Sequence, residues 1–214
     1  MLGSFKKAIF RALCLGCVLM GGVNGKTPKE LVFLGIKSYK EQDFSKAKKY
    51  FEKACELKDG RGCGILGWIY EDGEGVEKNS KKAAQFFSKA CDLNNGWGCS
   101  GLALLYRKGE GVEKNLIKAA QFFSKACDLN NGAGCNNLGV LYENGQRVEK
   151  NLIKAAQFYT KACDLKDGKG CNNLAWLYRK GEGLEKDLIK AAQFYSKACR
   201  LGVQEACETL KELK

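Results

Sequence analysis

The chain has no histidine, and only one proline and two methionines among its 214 residues. Without histidine, neither a Ser-His-Asp triad nor a Cys-His pair can be assembled, and most zinc hydrolase sites lose their ligands. With so little proline, and with 45% hydrophobic and 28% charged residues, a collagen-like fibre and a disordered chain are both excluded. Acidic residues are in deficit, 24 against 36 Lys and Arg, giving a formal charge of +12. No stretch alternates with a period of two, so no strands are expected. The Gly-x-Gly segments are not followed by the lysine of a phosphate loop. The basic residues are spread evenly and form no concentrated arm, so no nucleic-acid partner is expected.

Cysteine is the residue in excess, with twelve copies. Two of them, Cys14 and Cys17, lie in a segment that differs from the rest. Residues 1–25 carry Lys6, Lys7 and Arg11, then a short apolar run from Ala12 to Met20, then small residues at Val23 and Gly25. That order is the pattern of a cleaved signal peptide. The run is far short of the ~20 residues of a membrane span, so no stable membrane insertion is expected. An uncleaved anchor is the plainer alternative, and lipidation at Cys17 lacks the usual apolar lead-in. Removing three basic residues leaves 33 basic against 24 acidic, or +9. The expected destination is secreted or periplasmic.

The remaining ten cysteines keep time. They stand at 55, 91, 127, 163 and 199, with a second set eight residues later at 63, 99, 135, 171 and 207. Both series step by 36 residues. Four units follow over 55–198, with a shorter leading unit at 26–54 and a partial unit at 199–214. In the unit starting at Cys91, apolar residues at Cys99, Leu102, Ala103 and Tyr106 mark one face of a first helix over roughly 97–107. Gly109 and Gly111 end it, and Asn115 is a suitable N-cap for a second helix over roughly 116–129. Ala119, Phe122, Phe123, Ala126 and Cys127 form that helix's buried side, and Asn130-Asn131-Gly132 turns the chain onward. One hairpin cannot bury its apolar face alone, so the units must stack. The expected fold is all-α: an α-solenoid of about eleven helices.

Parity chooses the disulfide pairing. Joining cysteines 28 apart orphans Cys55 and Cys207, whereas joining those eight apart uses all ten. The expected pairs are Cys55–Cys63, Cys91–Cys99, Cys127–Cys135, Cys163–Cys171 and Cys199–Cys207, one per repeat. A row of redox or metal sites is disfavoured, because redox pairs sit closer together and zinc wants four converging ligands. No metal and no cofactor are expected.

Gly35, Tyr39, Asp43, Phe44, Ala47, Phe51 and Ala54 resemble a tetratricopeptide repeat. The later units, with L-G/A-x-x-Y-x-x-G-x-G-V and K-A-A-Q-F-F-S-K-A, resemble the related Sel-one-like repeats. The C-x7-C pair in each unit is similar to the Helicobacter cysteine-rich protein family. The resemblance covers 26–214. One departure is Gln146-Arg147, where the other units have Glu-Gly, so the loop there is expected to differ.

Comparing the units with one another separates a repeated stripe from a changing one. On the first helices the changing positions are Arg61, Gly64, Ile65, Trp68 and Glu71, then Trp97, Ser100, Gly101, Leu104 and Arg107. The next two units have Ala133, Asn136, Asn137, Val140 and Glu143, then Lys169, Asn172, Asn173, Trp176 and Arg179. These share a helical face opposite the core. The resemblance implies that first helices line a concave groove. The candidate ligand residues are Trp68, Trp97, Arg107, Asn136, Asn137, Asn172, Asn173, Trp176 and Arg179. Amides suit a peptide backbone, arginines a carboxylate, and tryptophans an apolar anchor. The plain alternative is drift on a solvated face. Tyr70, Tyr106, Tyr142 and Tyr178 are expected in the core, and the lysines of K-A-A-Q-F-F-S-K-A on a solvated face.

The same resemblance implies penicillin binding and β-lactamase activity, which would require a nucleophile. The weak candidate is Ser45 with Lys48, a Ser-x-x-Lys spacing at the start of a helix. Its usual companions, Ser-Asp-Asn and Lys-Thr-Gly, are absent. The expected function is therefore an exported, stapled repeat scaffold that binds peptides, cell-wall-like ligands such as a peptidoglycan fragment, or partner proteins. A penicillin-binding protein or β-lactamase is the alternative, and a secreted host-interaction factor a second one.

Overall fold

The computed structural model describes residues 25–146 and 148–213. The expected signal peptide, residues 1–25, falls almost wholly outside them, as do Cys14, Cys17 and Arg147. Among the described residues there are eleven helices and no strand. The leading hairpin is α1 (Pro28–Lys40) and α2 (Phe44–Glu56). Then come α3 (Gly60–Asp72) with α4 (Ser80–Asp92), and α5 (Gly96–Lys108) with α6 (Leu116–Asp128). Next are α7 (Gly132–Asn144) with α8 (Leu152–Asp164), and α9 (Gly168–Lys180) with α10 (Leu188–Arg200). A last helix, α11 (Gln204–Glu212), closes the described chain. No described helix is long and apolar enough to cross a membrane.

Helix limits are set by local chemistry. From α1 to α10, every helix starts behind a Thr, Asp or Asn whose side-chain oxygen accepts from a backbone N–H of the first turn. The helix α11 starts behind Val203 and has no such cap. The odd helices α3, α5, α7 and α9 stop at Gly73, Gly109, Gly145 and Gly181, which take the left-handed conformation with φ between 66° and 81°.

The core is a column of small residues and rings. Phe51, Phe87, Phe123 and Tyr159 are fully buried, one on each even helix from α2 to α8. The first helices also bury Ile69, Leu105, Leu141 and Leu177, one place past the stripe read from the sequence. The tyrosines are a correction. Tyr70 is buried, but Tyr106, Tyr142 and Tyr178 are only half-buried. They stack face to face on Phe122, Phe158 and Phe194, with centroids 5.5–5.7 Å apart. The leading lysines of the K-A-A-Q-F-F-S-K-A segments are exposed as expected, and from that face Lys82, Lys118, Lys154 and Lys190 reach 5.2–5.3 Å above the four tyrosine rings.

Units join where an even helix ends and the next odd helix begins. The last turn of each even helix carries Ala-Cys, and the first turn of its successor carries Gly-Cys at the first four junctions and Ala206-Cys207 at the fifth. The five eight-apart pairs are bonded, with Cα atoms 4.5–4.8 Å apart. A Cβ on Gly62 would lie 2.8 Å from Cβ of Ala54, and one on Gly134 2.6 Å from Cβ of Ala126. The helices therefore meet backbone to backbone. Odd helices of successive units also touch from α1 to α9, while even helices stand apart. The odd helices thus form the inner face.

Two outcomes follow. Gly134→Ala should cost about 1–3 kcal/mol in urea unfolding of the oxidised protein, because neither backbone can retreat from the new methyl; an unchanged midpoint would show a slack junction. Under mild reductant with alkylation and peptide mass mapping, Cys199 and Cys207 should be labelled first. They alone among the ten are half-buried, the other eight being buried. Earlier labelling of any other pair would contradict this.

Candidate functional site

The inner face is built by side chains of α1, α3, α5, α7 and α9. It changes character along its length. At the α1 end lies an apolar hollow of about 340 Å³, lined by Val32, Ile36, Ile65, Trp68 and Trp97, with Arg61 and Asn95 among the polar groups. Ile36 is 40% exposed and Trp97 63%. Trp68 is half-buried and rests edge-on against Phe87, with centroids 5.0 Å apart. Arg61 is committed elsewhere, donating from Nε and Nη2 to the Asp59 carboxylate at 3.3 and 3.0 Å.

Further along, the face turns polar. Arg107 is half-buried and donates from Nη1 to Asn137 Oδ1 at 2.8 Å, with its guanidinium 5.8 Å over the Phe123 ring. Burial lowers its pKa below the usual guanidinium value. Asn137 in turn donates to the carbonyl of Ala133 at 2.8 Å. Asn173 Nδ2 donates to Asn136 Oδ1 at 2.9 Å, bridging α9 to α7. Asn172 keeps its Oδ1 buried without a hydrogen-bond partner among the described residues. Trp176 is half-buried against the cluster around Tyr159 and Leu177. Arg179 lies against the Tyr195 hydroxyl, whose pKa burial raises and Arg179 pulls back.

The reading of one solvent-facing stripe needs correction. Asn136 and Ser100 are buried, at 7% and 4% exposure, and Gly64, Gly101 and Glu71 are buried as well. The position after the conserved Cys turns into the seam with the next unit. The helical period assigns it a face but does not show that a neighbour covers that face. Asn136 is thus a seam residue, while Asn137, Asn173, Arg107 and Arg179 stay half-exposed on the inner face.

Two members of the changing stripe that were not among the candidate ligand residues carry a buried or half-buried carboxylate. Glu143 accepts a short hydrogen bond from the Tyr159 hydroxyl. Tyr159 is pushed well above the usual tyrosine range, first by burial and then by that carboxylate. Glu71 has Lys78 at 3.6 Å from Oε1, yet its Oε2 is buried with no partner. A signal was available, since the second helices switch from Phe87 and Phe123 to Tyr159 and Tyr195 at one register.

Ser45 and Lys48 lie elsewhere, on α2. Ser45 is exposed. Lys48 pairs with Glu52 at 3.6 Å. A hydrogen bond to the Tyr70 side chain, and Glu52 after it, hold the ammonium above its usual pKa. A general base needs the opposite shift. Among the described residues no group of three or more Cys, Asp or Glu is placed to hold a metal ion.

Five stretches of the chain match the Sel1 repeat, at residues 31–59, 62–95, 98–131, 132–167 and 168–203. HcpC of Helicobacter pylori, a protein named as a candidate β-lactamase, is 61% identical over 82 residues, which are 38% of this chain and 28% of HcpC. HcpA of the same organism, named a β-lactamase, is 56% identical over 38% of this chain and 33% of its own length. The matched part therefore spans about three tenths of those relatives. Among solved structures, a Sel1 repeat protein from Oxalobacter formigenes superposes with a TM-score of 0.78 at 28% identity, covering 85% of this chain and 74% of that one. The Helicobacter pylori cysteine-rich protein B superposes at 0.52 with 45% identity, over 61% of this chain and 93% of that one.

Tyr159→Phe should remove the donor to a half-buried carboxylate and cost about 1–3 kcal/mol in urea unfolding. An unchanged midpoint would mean that water satisfies Glu143 equally well.

Proposed function

Because the chain belongs to the Sel1 repeat family, we propose that it is a disulfide-stapled scaffold which holds an extended peptide segment, free or part of a partner protein, along its inner face. The observation that carries this reading is the apolar hollow under Trp68 and Trp97. Its volume, about 340 Å³, lies at the lower end of the range for ligand pockets, about 300–1,000 Å³. Exposed aromatic and aliphatic surface in a concavity favours association, since burying it removes apolar area from water. Beyond the hollow, Asn137 and Asn173 each use one Nδ2 hydrogen within the protein and keep a second for a peptide carbonyl, and the Asn173 Oδ1 can accept from a peptide N–H. The five disulfides fit an oxidising compartment outside the cytoplasm, and we read residues 1–25 as the export signal that takes the chain there.

β-Lactam ring opening has the relatives' names behind it and nothing in the geometry of Ser45 and Lys48. A peptidoglycan stem peptide, which penicillin mimics, is one form the extended ligand could take.

A random peptide library displayed on phage and selected on the oxidised protein tests the reading. The enriched peptides should carry a large apolar residue, and Trp68→Ala should weaken them about tenfold or more. Asn137→Ala should weaken them severalfold with the fold intact by circular dichroism. Peptides that bind both variants as well as the parent protein would remove the inner face as the site.

A further inference from the structure

One register of the repeat, near the end of each first helix, holds Glu71, Arg107, Glu143 and Arg179 in turn. The residues are 36 apart and alternate in sign. All four are buried or half-buried on the inner face. Two are oriented by an uncharged neighbour, Arg107 by Asn137 and Phe123 and Glu143 by the Tyr159 hydroxyl, while Arg179 lies near the Tyr195 hydroxyl. Glu71 faces the position of Phe87, which has no hydroxyl to offer, and its Oε2 is left without a partner. Among the described residues, neither arginine has a carboxylate within 4.0 Å, and Glu143 has no cation within that distance.

Arg107, Glu143 and Arg179 are thus partly desolvated but not neutralised, and Glu71 is only half served, with Lys78 3.6 Å from Oε1 and Oε2 unpartnered. A charge taken partly out of water keeps an uncompensated penalty until an opposite charge arrives. Neighbours in the row do not supply it. Packed helices stand about 8–10 Å apart, and no two members of the row pair within 4.0 Å among the described residues. An extended chain advances about 3.3 Å per residue. Three of its residues therefore span one unit.

We propose that the inner face reads an extended segment whose charges alternate in sign at about every third residue. A cation of the segment meets Glu71 and Glu143, and a carboxylate meets Arg107 and Arg179. This rests on the inner-face reading above and names the class of partner. The order apolar, cation, anion, cation, anion then runs from the hollow at Trp68 toward α9. It fixes the register of the segment, because a slip of one unit sets like charges opposite one another.

The test uses fluorescein-labelled peptides of one composition on the oxidised protein, read by fluorescence anisotropy. The alternating peptide is Leu-Ser-Lys-Ser-Ser-Asp-Ser-Ser-Lys-Ser-Ser-Asp. Its block isomer places both lysines before both aspartates, and each is also made in reversed order. One alternating peptide should bind at least tenfold tighter than the block isomer of the same direction. That preference should shrink severalfold when salt is raised from 50 to 500 mM, conditions chosen on the order of the Debye screening change. Arg107→Gln should weaken the alternating peptide about fivefold without weakening the block isomer, which places a lysine there. Equal affinity for alternating and block peptides overturns the charge-row proposal. The inner-face reading survives that result if Trp68→Ala still weakens both alike. Both fail if no peptide binds, or if Trp68→Ala changes nothing.

Discussion

The structure depends on how closely one unit's second helix approaches the next unit's first helix. At each of the first four junctions a glycine stands where no Cβ could be placed without striking an alanine of the preceding helix. The neighbouring cysteines close a disulfide across the same gap. The glycine permits the approach, and the disulfide limits separation, closing a nine-residue loop worth about 2.5 kcal/mol in the chain-entropy description. With this junction repeated, each first helix arrives at the next with nearly the same offset. The contact among odd helices and the gap among even ones follow from that offset.

A junction made this way leaves other positions free to differ. The rings at Phe51, Phe87, Phe123 and Tyr159 occupy the same place in each unit, and that position varies only between phenylalanine and tyrosine. Those substitutions are not neutral, because a buried hydroxyl needs a partner. Tyr159 finds Glu143, and the Tyr195 hydroxyl has Arg179 nearby. The two tyrosines fall within the polar half of the inner face, which begins one unit earlier with Arg107 over Phe123. Toward α1 the corresponding rings are phenylalanines, and there the face is apolar.

The periodic features were legible from residues alone. The 36-residue step, the helix-ending glycines, the Asn and Asp caps and the cysteine pairing each depend on a local rule that a single unit already satisfies. What could not be read was anything decided between units. Asn136 and Ser100 have the helical phase of an open face, yet they are covered by the neighbouring unit. Tyr106 and its counterparts have the phase of a core face, yet the array's edge leaves them half-open under a lysine. Phase gives direction around one helix, and burial in a solenoid also depends on the next helix along. The charge row shows in the sequence as four changing positions, Glu71, Arg107, Glu143 and Arg179. Their partial burial and their neighbours are again decided by adjoining helices.

The same contrast bears on what such a molecule can do. Catalysis requires several groups converging on one reacting atom within about 3 Å, with a base whose pKa has been moved toward neutrality. Here the chemistry-bearing side chains of the inner face are dealt out one per unit along a line, and Lys48, the lysine beside the single serine candidate, is shifted upward. A line of graded groups is poorly arranged for a transition state a few ångströms across. It is well arranged for an extended ligand, whose own groups recur along its length at a spacing fixed by backbone geometry. Recognition then draws on many weak contacts held in register, and the register is what the stapled junction keeps constant from unit to unit.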